Sequence, residues 1–125
     1  MKTTLTVEES ARLIELGVDP KMASECVSTT KVCASGRGII RLPEVKPIFN
    51  LADILSILTK EINHHHLNIE ASEQGYEVCY MLWDNEDEAY HFMGATESPE
   101  LIDTLYSLLI WAIENKHYNP KSETK

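Results

Sequence analysis

Two stretches decide the fold: His66-Leu67-Asn68-Ile69-Glu70-Ala71 and Tyr76-Glu77-Val78-Cys79-Tyr80-Met81-Leu82-Trp83. In the first, Leu67, Ile69 and Ala71 alternate with His66, Asn68 and Glu70. In the second, Tyr76, Val78, Tyr80 and Leu82 alternate with Glu77, Cys79, Met81 and Trp83. A period of two sends successive side chains to opposite faces, the pattern of a half-buried strand. Gln74-Gly75 between them suits a two-residue turn. That turn sets Leu67 against Leu82, Ile69 against Tyr80 and Ala71 against Val78, so both apolar sets share one face. The acidic run Asp84-Asn85-Glu86-Asp87-Glu88 then leads to a third strand, Tyr90 to Ala95. Residues 64–95 are thus expected to form a three-stranded antiparallel meander.

Working outward, the elements on either side read as helices. Before the first, Thr6 is an N-cap, Glu8 and Glu9 suit the positive end of the dipole, and Gly17 is the stop. Its apolar stripe is Val7, Ala11, Ile14 and Val18, widened by Leu13 and Leu16. Asp19-Pro20 starts a second short helix that ends near Val27. From Ser28 to Pro47, Gly36, Gly38, Pro43 and Pro47 interrupt any period, so a long loop is expected with one short strand at Ile39 to Leu42. Asn50, with Asp53 three residues on, caps a helix from Leu51 to about Lys60. The last helix is capped by Ser98, with Pro99 at its first position and Leu101, Ile102, Leu105, Leu108, Leu109, Ala112 and Ile113 broad enough to cover the sheet. The fold class is α+β: N-terminal helices, then the meander packed by the C-terminal helix. It divides as one domain over 1–125: a helical segment plus loop (1–47), an α+β core (48–119) and a frayed tail (120–125).

At 125 residues and 43% apolar, the chain can bury a sizeable core without a metal or disulfide staple. Its longest apolar run, Leu108 to Ile113, is six residues, against about 18 for a membrane span. Met1-Lys2-Thr3-Thr4 leads straight into a helix pattern with no apolar signal core, so the expected address is the cytoplasm. Cys26, Cys33 and Cys79 are odd in number and unpatterned, which fits free thiols better than an exported disulfide framework.

The net charge of −9 is uneven. Residues 1–60 carry eight Lys/Arg and seven Asp/Glu, whereas 61–125 carry three and thirteen. Such an acidic half repels phosphate backbones and anionic membranes, so neither direct nucleic-acid binding nor membrane binding is expected. The cations Lys31, Arg37, Arg41 and Lys46 concentrate in the segment read as a loop.

Catalytic and metal motifs are weak. His64-His65-His66 lacks the spacing of a metal site, and alternation lets at most two of the three converge. Ser28-Thr29-Thr30-Lys31 matches an acyl-enzyme pattern without its partner motifs. Ser35-Gly36-Arg37-Gly38 lacks a phosphate-loop lysine, and the acidic turn lacks the glycine of a calcium loop. No enzyme activity, cofactor or metal is expected. The meander suggests a different use: if the helices cover its other side, Cys79, Met81, Trp83, His91 and Met93 share an outward face, with His66 opposite Trp83; the competing expectation is that an N-terminal helix covers this face as a second core layer. An exposed patch with an aromatic ring and methionines marks a surface for a protein partner or a second copy, including a homodimer. Two alternatives use neighbouring residues. The acidic patch Asp84, Glu86, Asp87 and Glu88 suits a decoy or inhibitor of a nucleic-acid enzyme, and Cys79, His91 and His66 would centre a thiol or metal enzyme.

Pro47-Ile48-Phe49-Asn50-Leu51-Ala52-Asp53-Ile54-Leu55 with Lys60-Glu61-Ile62, and Glu100 to Tyr106 running to Trp111-Ala112-Ile113-Glu114-Asn115, together with the Leu-Gly-Val-Asp-Pro turn at 16–20, resemble a loose group of short uncharacterised proteins from gut-dwelling anaerobic bacteria and their prophages or mobile elements. The resemblance implies a cytoplasmic bacterial or phage protein. It carries no catalytic residues to this chain.

Overall fold

The computed structural model describes residues 1–117. They form an α+β fold of three α-helices and six strands, all antiparallel, in two sheets. The order is α1 (Val7–Glu15), a short 3-10 turn (Pro20–Met22), β1 (Glu25–Ser35), β2 (Gly38–Ile48), α2 (Leu51–Ile57), β3 (Glu61–Ile62), β4 (His65–Ser72), β5 (Gly75–Asp84), β6 (Ala89–Ser98) and α3 (Leu101–Glu114).

Local capping chemistry sets the helix starts. Thr6 Oγ1 accepts from the Glu9 N–H at 3.1 Å while Glu9 returns a carboxylate to the Thr6 N–H at 2.9 Å. Asn50 and Asp53 form the same reciprocal pair at the start of α2. Both close orphan donors of a first turn. Helix α3 begins later than the Ser98 reading, with Glu100 as its flanking residue. Ser98 instead ends β6, and Thr104 Oγ1 bonds back to the Glu100 carbonyl at 2.9 Å.

The second sheet corrects the reading of 28–47 as a loop. β1 and β2 pair over their full length, from Glu25 opposite Ile48 to Ser35 opposite Gly38. The helix expected from Pro20 to Val27 stops at Met22, because the β-branched run Val27, Thr29, Thr30 and Val32 is already strand. Pro43 and Pro47 do not break the ribbon. Four residues apart, they share one parity on a strand with a free edge, where a missing N–H costs no ladder bond. The segment 1–47 is therefore one helix and a long hairpin.

The other sheet has four strands in the order β3-β4-β5-β6, not three. Asn63 and His64, both at positive φ, make the two-residue turn joining β3 to β4, so only His65 and His66 of the histidine run lie in a strand. The β4–β5 register also shifts by two: Leu67 faces Tyr80, Ile69 faces Val78, and Ala71 faces Tyr76. The turn is Glu73-Gln74, and Gly75 opens β5. Its glycine meets a different need. At φ +140°, a Cβ there would strike the Ser98 carbonyl oxygen and lie 2.6 Å from the Pro99 Cα.

The core lies between the inner face of this sheet and the helices. Val78 and Tyr80 are fully buried under Ile102, Leu105, Leu108 and Leu109 of α3, with Phe49, Ile54 and Leu13 completing the cluster. Each such side chain contributes about 1.5–3 kcal/mol on burial. The Tyr80 hydroxyl donates to the Thr59 carbonyl at 2.7 Å, and burial pushes its pKa up to about 12. In α1 the buried positions are Ser10 and Leu13, whereas Val7, Ala11 and Ile14 border a groove with Lys46 and Pro47 at the hairpin base. Lys2 ties the chain start across the helices: its Nζ reaches Glu9 at 3.1 Å and Asp103 at 2.7 Å, and its N–H donates to Glu100. The tail read as frayed, 120–125, lies outside the described residues.

Candidate functional site

Among the described residues no helix covers the outer face of the four-stranded sheet, since α3 packs on the inner face. On β5, Val78 and Tyr80 point inward and Cys79, Met81 and Trp83 outward. The partners on β6 differ from the expectation. Trp83 pairs with Tyr90 and Met81 with Phe92, so the outward β6 side chains are Tyr90 and Phe92. His91 and Met93 pair with Leu82 and Tyr80 and so take the opposite face, where Met93 packs against the core. The cause is the loop length. Asp84 belongs to β5 and pairs with Ala89, leaving a loop of four residues rather than the five of the acidic run. A one-residue slip exchanges every side chain between faces.

Three aromatic rings therefore stand in the open. Trp83, Tyr90 and Phe92 are 46%, 53% and 59% exposed. Trp83 and Tyr90 meet edge to face with centroids 4.9 Å apart, and Tyr90 and Phe92 lie at 6.3 Å. Such edge-to-face contacts hold the rings in place beyond simple burial. The indole N–H of Trp83 donates to Asn85 Oδ1 at 2.8 Å.

Beside the rings is a cleft of about 290 Å³ lined by Asn68, Glu70, Glu77, Cys79, Phe92 and Ala95. Cys79 forms its floor and is 5% exposed. Burial pushes the thiol pKa up, and the Glu77 and Glu70 carboxylates push it further. That is the reverse of what activates a nucleophilic cysteine. With His91 on the other face, the Cys79–His91–His66 constellation does not assemble; His66 sits opposite Met81 rather than Trp83.

Glu77 faces Glu70 in the uninterrupted β4–β5 ladder, and a β-bulge in the β5–β6 pairing between Val78 and Tyr80 brings Glu97 opposite Glu77 on its other side. Three carboxylates thus line up across three strands, outward, next to the cleft. Like charges directly opposite one another destabilise a sheet. Among the described residues none of the three forms an ion pair.

The acidic loop is more self-contained. Asp84 Oδ1 accepts from the Glu86 N–H at 2.8 Å, which pulls the Asp84 carboxyl below its usual range. The His91 ring nitrogen lies 3.2 Å from Asp84 and 3.1 Å from Asp87. These three groups lie close enough to share a cation, but they already satisfy one another. Glu86 and Glu88 are left to solvent.

A second bare surface went unread in the sequence. On the β1–β2 ribbon Val27, Val32, Ile39, Ile40, Leu42 and Val45 are all exposed, from 36% to 70%. The density of β-branched residues was the available signal, masked by glycine and proline. Comparison with protein-family models, curated proteins and solved structures returns no match for the chain.

Proposed function

We propose that this chain is a non-enzymatic interaction protein that docks a protein partner, or itself, through the outer face of its four-stranded sheet. The observation that supports the reading best is the exposed ring set Trp83, Tyr90 and Phe92, flanked by Met81 and the Cys79 cleft. Aromatic and methionine side chains are enriched in interface cores and depleted on bare surfaces. The raised thiol of Cys79 and its separation from His91 weigh against the thiol-enzyme alternative. The acidic-decoy alternative draws its support from the Glu70, Glu77 and Glu97 row rather than from Asp84 to Glu88, where two carboxylates are already engaged. The cytoplasmic bacterial or phage setting belongs to the same proposal and rests on the resemblance and the free thiols.

The test compares the wild type with a Trp83→Ser, Tyr90→Ser, Phe92→Ser variant in cleared cell lysate by size-exclusion chromatography. The wild type should elute in an assembly larger than the monomer and the variant as a monomer. A wild type that elutes as a monomer, or a variant that keeps the assembly, removes the docking reading.

A further inference from the structure

The hairpin poses a physical problem of its own. An isolated two-stranded ribbon is marginally stable in water, and this one extends 11 residues per strand, roughly 35 Å. It packs on α1 through β2 at its base, and beyond that leaves both faces largely bare. The face defined by Val32, Ile39 and Val45 is the barest, at 60%, 70% and 64% exposure, and Arg41 sits on it directly opposite Val32. Arg37 lies at the tip and Lys31 on the reverse face. Among the described residues Lys31, Arg37 and Arg41 make no ion pair, whereas Lys46 pairs with Glu44 at 3.5 Å.

The outer sheet face is the mirror of this surface in chemistry. It offers apolar rings from Trp83, Tyr90 and Phe92 beside three carboxylates, Glu70, Glu77 and Glu97, that make no ion pair among the described residues. Its strands β5 and β6 are 10 residues long, matching the ribbon's 11. The ribbon does not cover the sheet face of its own chain. Its base is clamped at α2, where the Asp53 carboxylate accepts from the Ser24 N–H at 2.8 Å and the Ser24 hydroxyl at 2.5 Å, and Asn50 donates to Glu25 at 2.9 Å.

Building on the docking reading above, we infer that the occupant of the sheet face is the β1–β2 ribbon of a second copy of this chain, in a reciprocal dimer. The Val32/Ile39/Val45 side lies on the rings as one sheet on another, at the usual separation of about 10 Å. Arg41 and Arg37 meet the glutamate row, which relieves its like-charge repulsion. Reciprocity matters for size. One ribbon face is about 10 Å wide, so a single seat removes about 700 Å² in total, the scale of a crystal contact; two seats remove about 1,400 Å², within the standard range for a specific interface. An isologous two-fold dimer supplies both seats.

The experiment is sedimentation of the purified full chain with two charge-reversed variants, Glu77→Lys/Glu97→Lys on the sheet and Arg37→Glu/Arg41→Glu on the ribbon. The wild type should be dimeric, and each variant alone should dissociate at least about tenfold more readily. An equimolar mixture of the two should restore the dimer, because each ribbon then meets a face of opposite charge. That restoration also shows that both variants are folded. The inference is overturned if the wild type stays monomeric at concentrations approaching millimolar, if either variant dimerises like the wild type, or if the mixture remains monomeric. A purified monomer that still joins a Trp83-dependent assembly in lysate would overturn self-exchange alone and leave the docking reading standing, with a foreign partner on the face.

Discussion

Replacing Gly94 by alanine should cost far more than one methyl group suggests. Gly94 sits beside the β6 irregularity at φ +68°, and a Cβ built there would lie 2.7 Å from both Cε3 and Cζ3 of Trp111. The left-handed backbone costs an L-residue about 1–2 kcal/mol. The overlap adds about 1–3 kcal/mol, since forcing a methylene into a packed site displaces its neighbours. Trp111 has little room to retreat: its ring lies 6.4 Å from that of Tyr80 and stacks on His117 at 5.1 Å. The two terms together come to roughly 2–5 kcal/mol, a large part of the 5–15 kcal/mol that holds a typical domain. Urea unfolding followed by far-UV circular dichroism measures the loss as a lowered midpoint at constant slope. A cycle with Trp111→Ala separates the terms. In that background the overlap is gone and Gly94→Ala should cost only the backbone share, about 1–2 kcal/mol. An equal cost in both backgrounds, or a cost below about 0.5 kcal/mol in the wild type, would refute the claim that the glycine exists to admit the indole.

Asp53→Asn should destabilise the chain by roughly 2 kcal/mol, because the amide cannot accept all three bonds that Ser24 and Asn50 donate to the carboxylate. Burial alone raises the Asp53 pKa, but the Asn50 N–H and the Ser24 hydroxyl and N–H outweigh it and hold the group below its ordinary value. A depressed folded pKa stabilises fully above the unfolded value of about 4 and loses that contribution as pH falls through the folded one. Urea midpoints should therefore drop on acidification below about pH 4, more steeply for the wild type than for Asp53→Asn; equal slopes would remove Asp53 from the account. Cys79 should alkylate at least about tenfold more slowly than the exposed Cys26, read by mass spectrometry of peptides, because it is buried and its thiol is held protonated. Equal rates would contradict its place on the cleft floor.

What was legible in the sequence was what local chemistry determines. The caps Thr6/Glu9 and Asn50/Asp53, the stop at Gly17 and the apolar breadth of α3 each act within a turn or two of their own positions. The strand alternation of 66–83 placed Val78 and Tyr80 in the core for the same reason. Register was less legible, since it depends on which residues leave the ladder. Gly75 reads as a turn residue, yet its missing Cβ serves the approach of Ser98 and Pro99. Asp84 reads as loop yet closes β5, and that single residue moved His91 and Met93 off the outer face and put Tyr90 and Phe92 there. The ribbon hid for a third reason. Alternation marks a strand only when one face meets a core, and neither face of β1 or β2 does along most of its length. Of the candidate site, Cys79, Met81 and Trp83 were readable; in the glutamate row that adjoins them, Glu70 opposite Glu77 follows from the β4–β5 register and Glu97 from the bulge.

The Lys2 tether has a bearing on how the chain reaches this state. Its partners Glu100 and Asp103 stand 98 and 101 residues away, so these links close only once α3 has emerged. The ribbon needs only its own 24 residues and a tight turn at its tip. Local pairings form early and distant ones late. Marginal as an isolated hairpin, the ribbon gains a fixed footing only once Asp53 and Asn50 of α2 have emerged to hold Ser24 and Glu25.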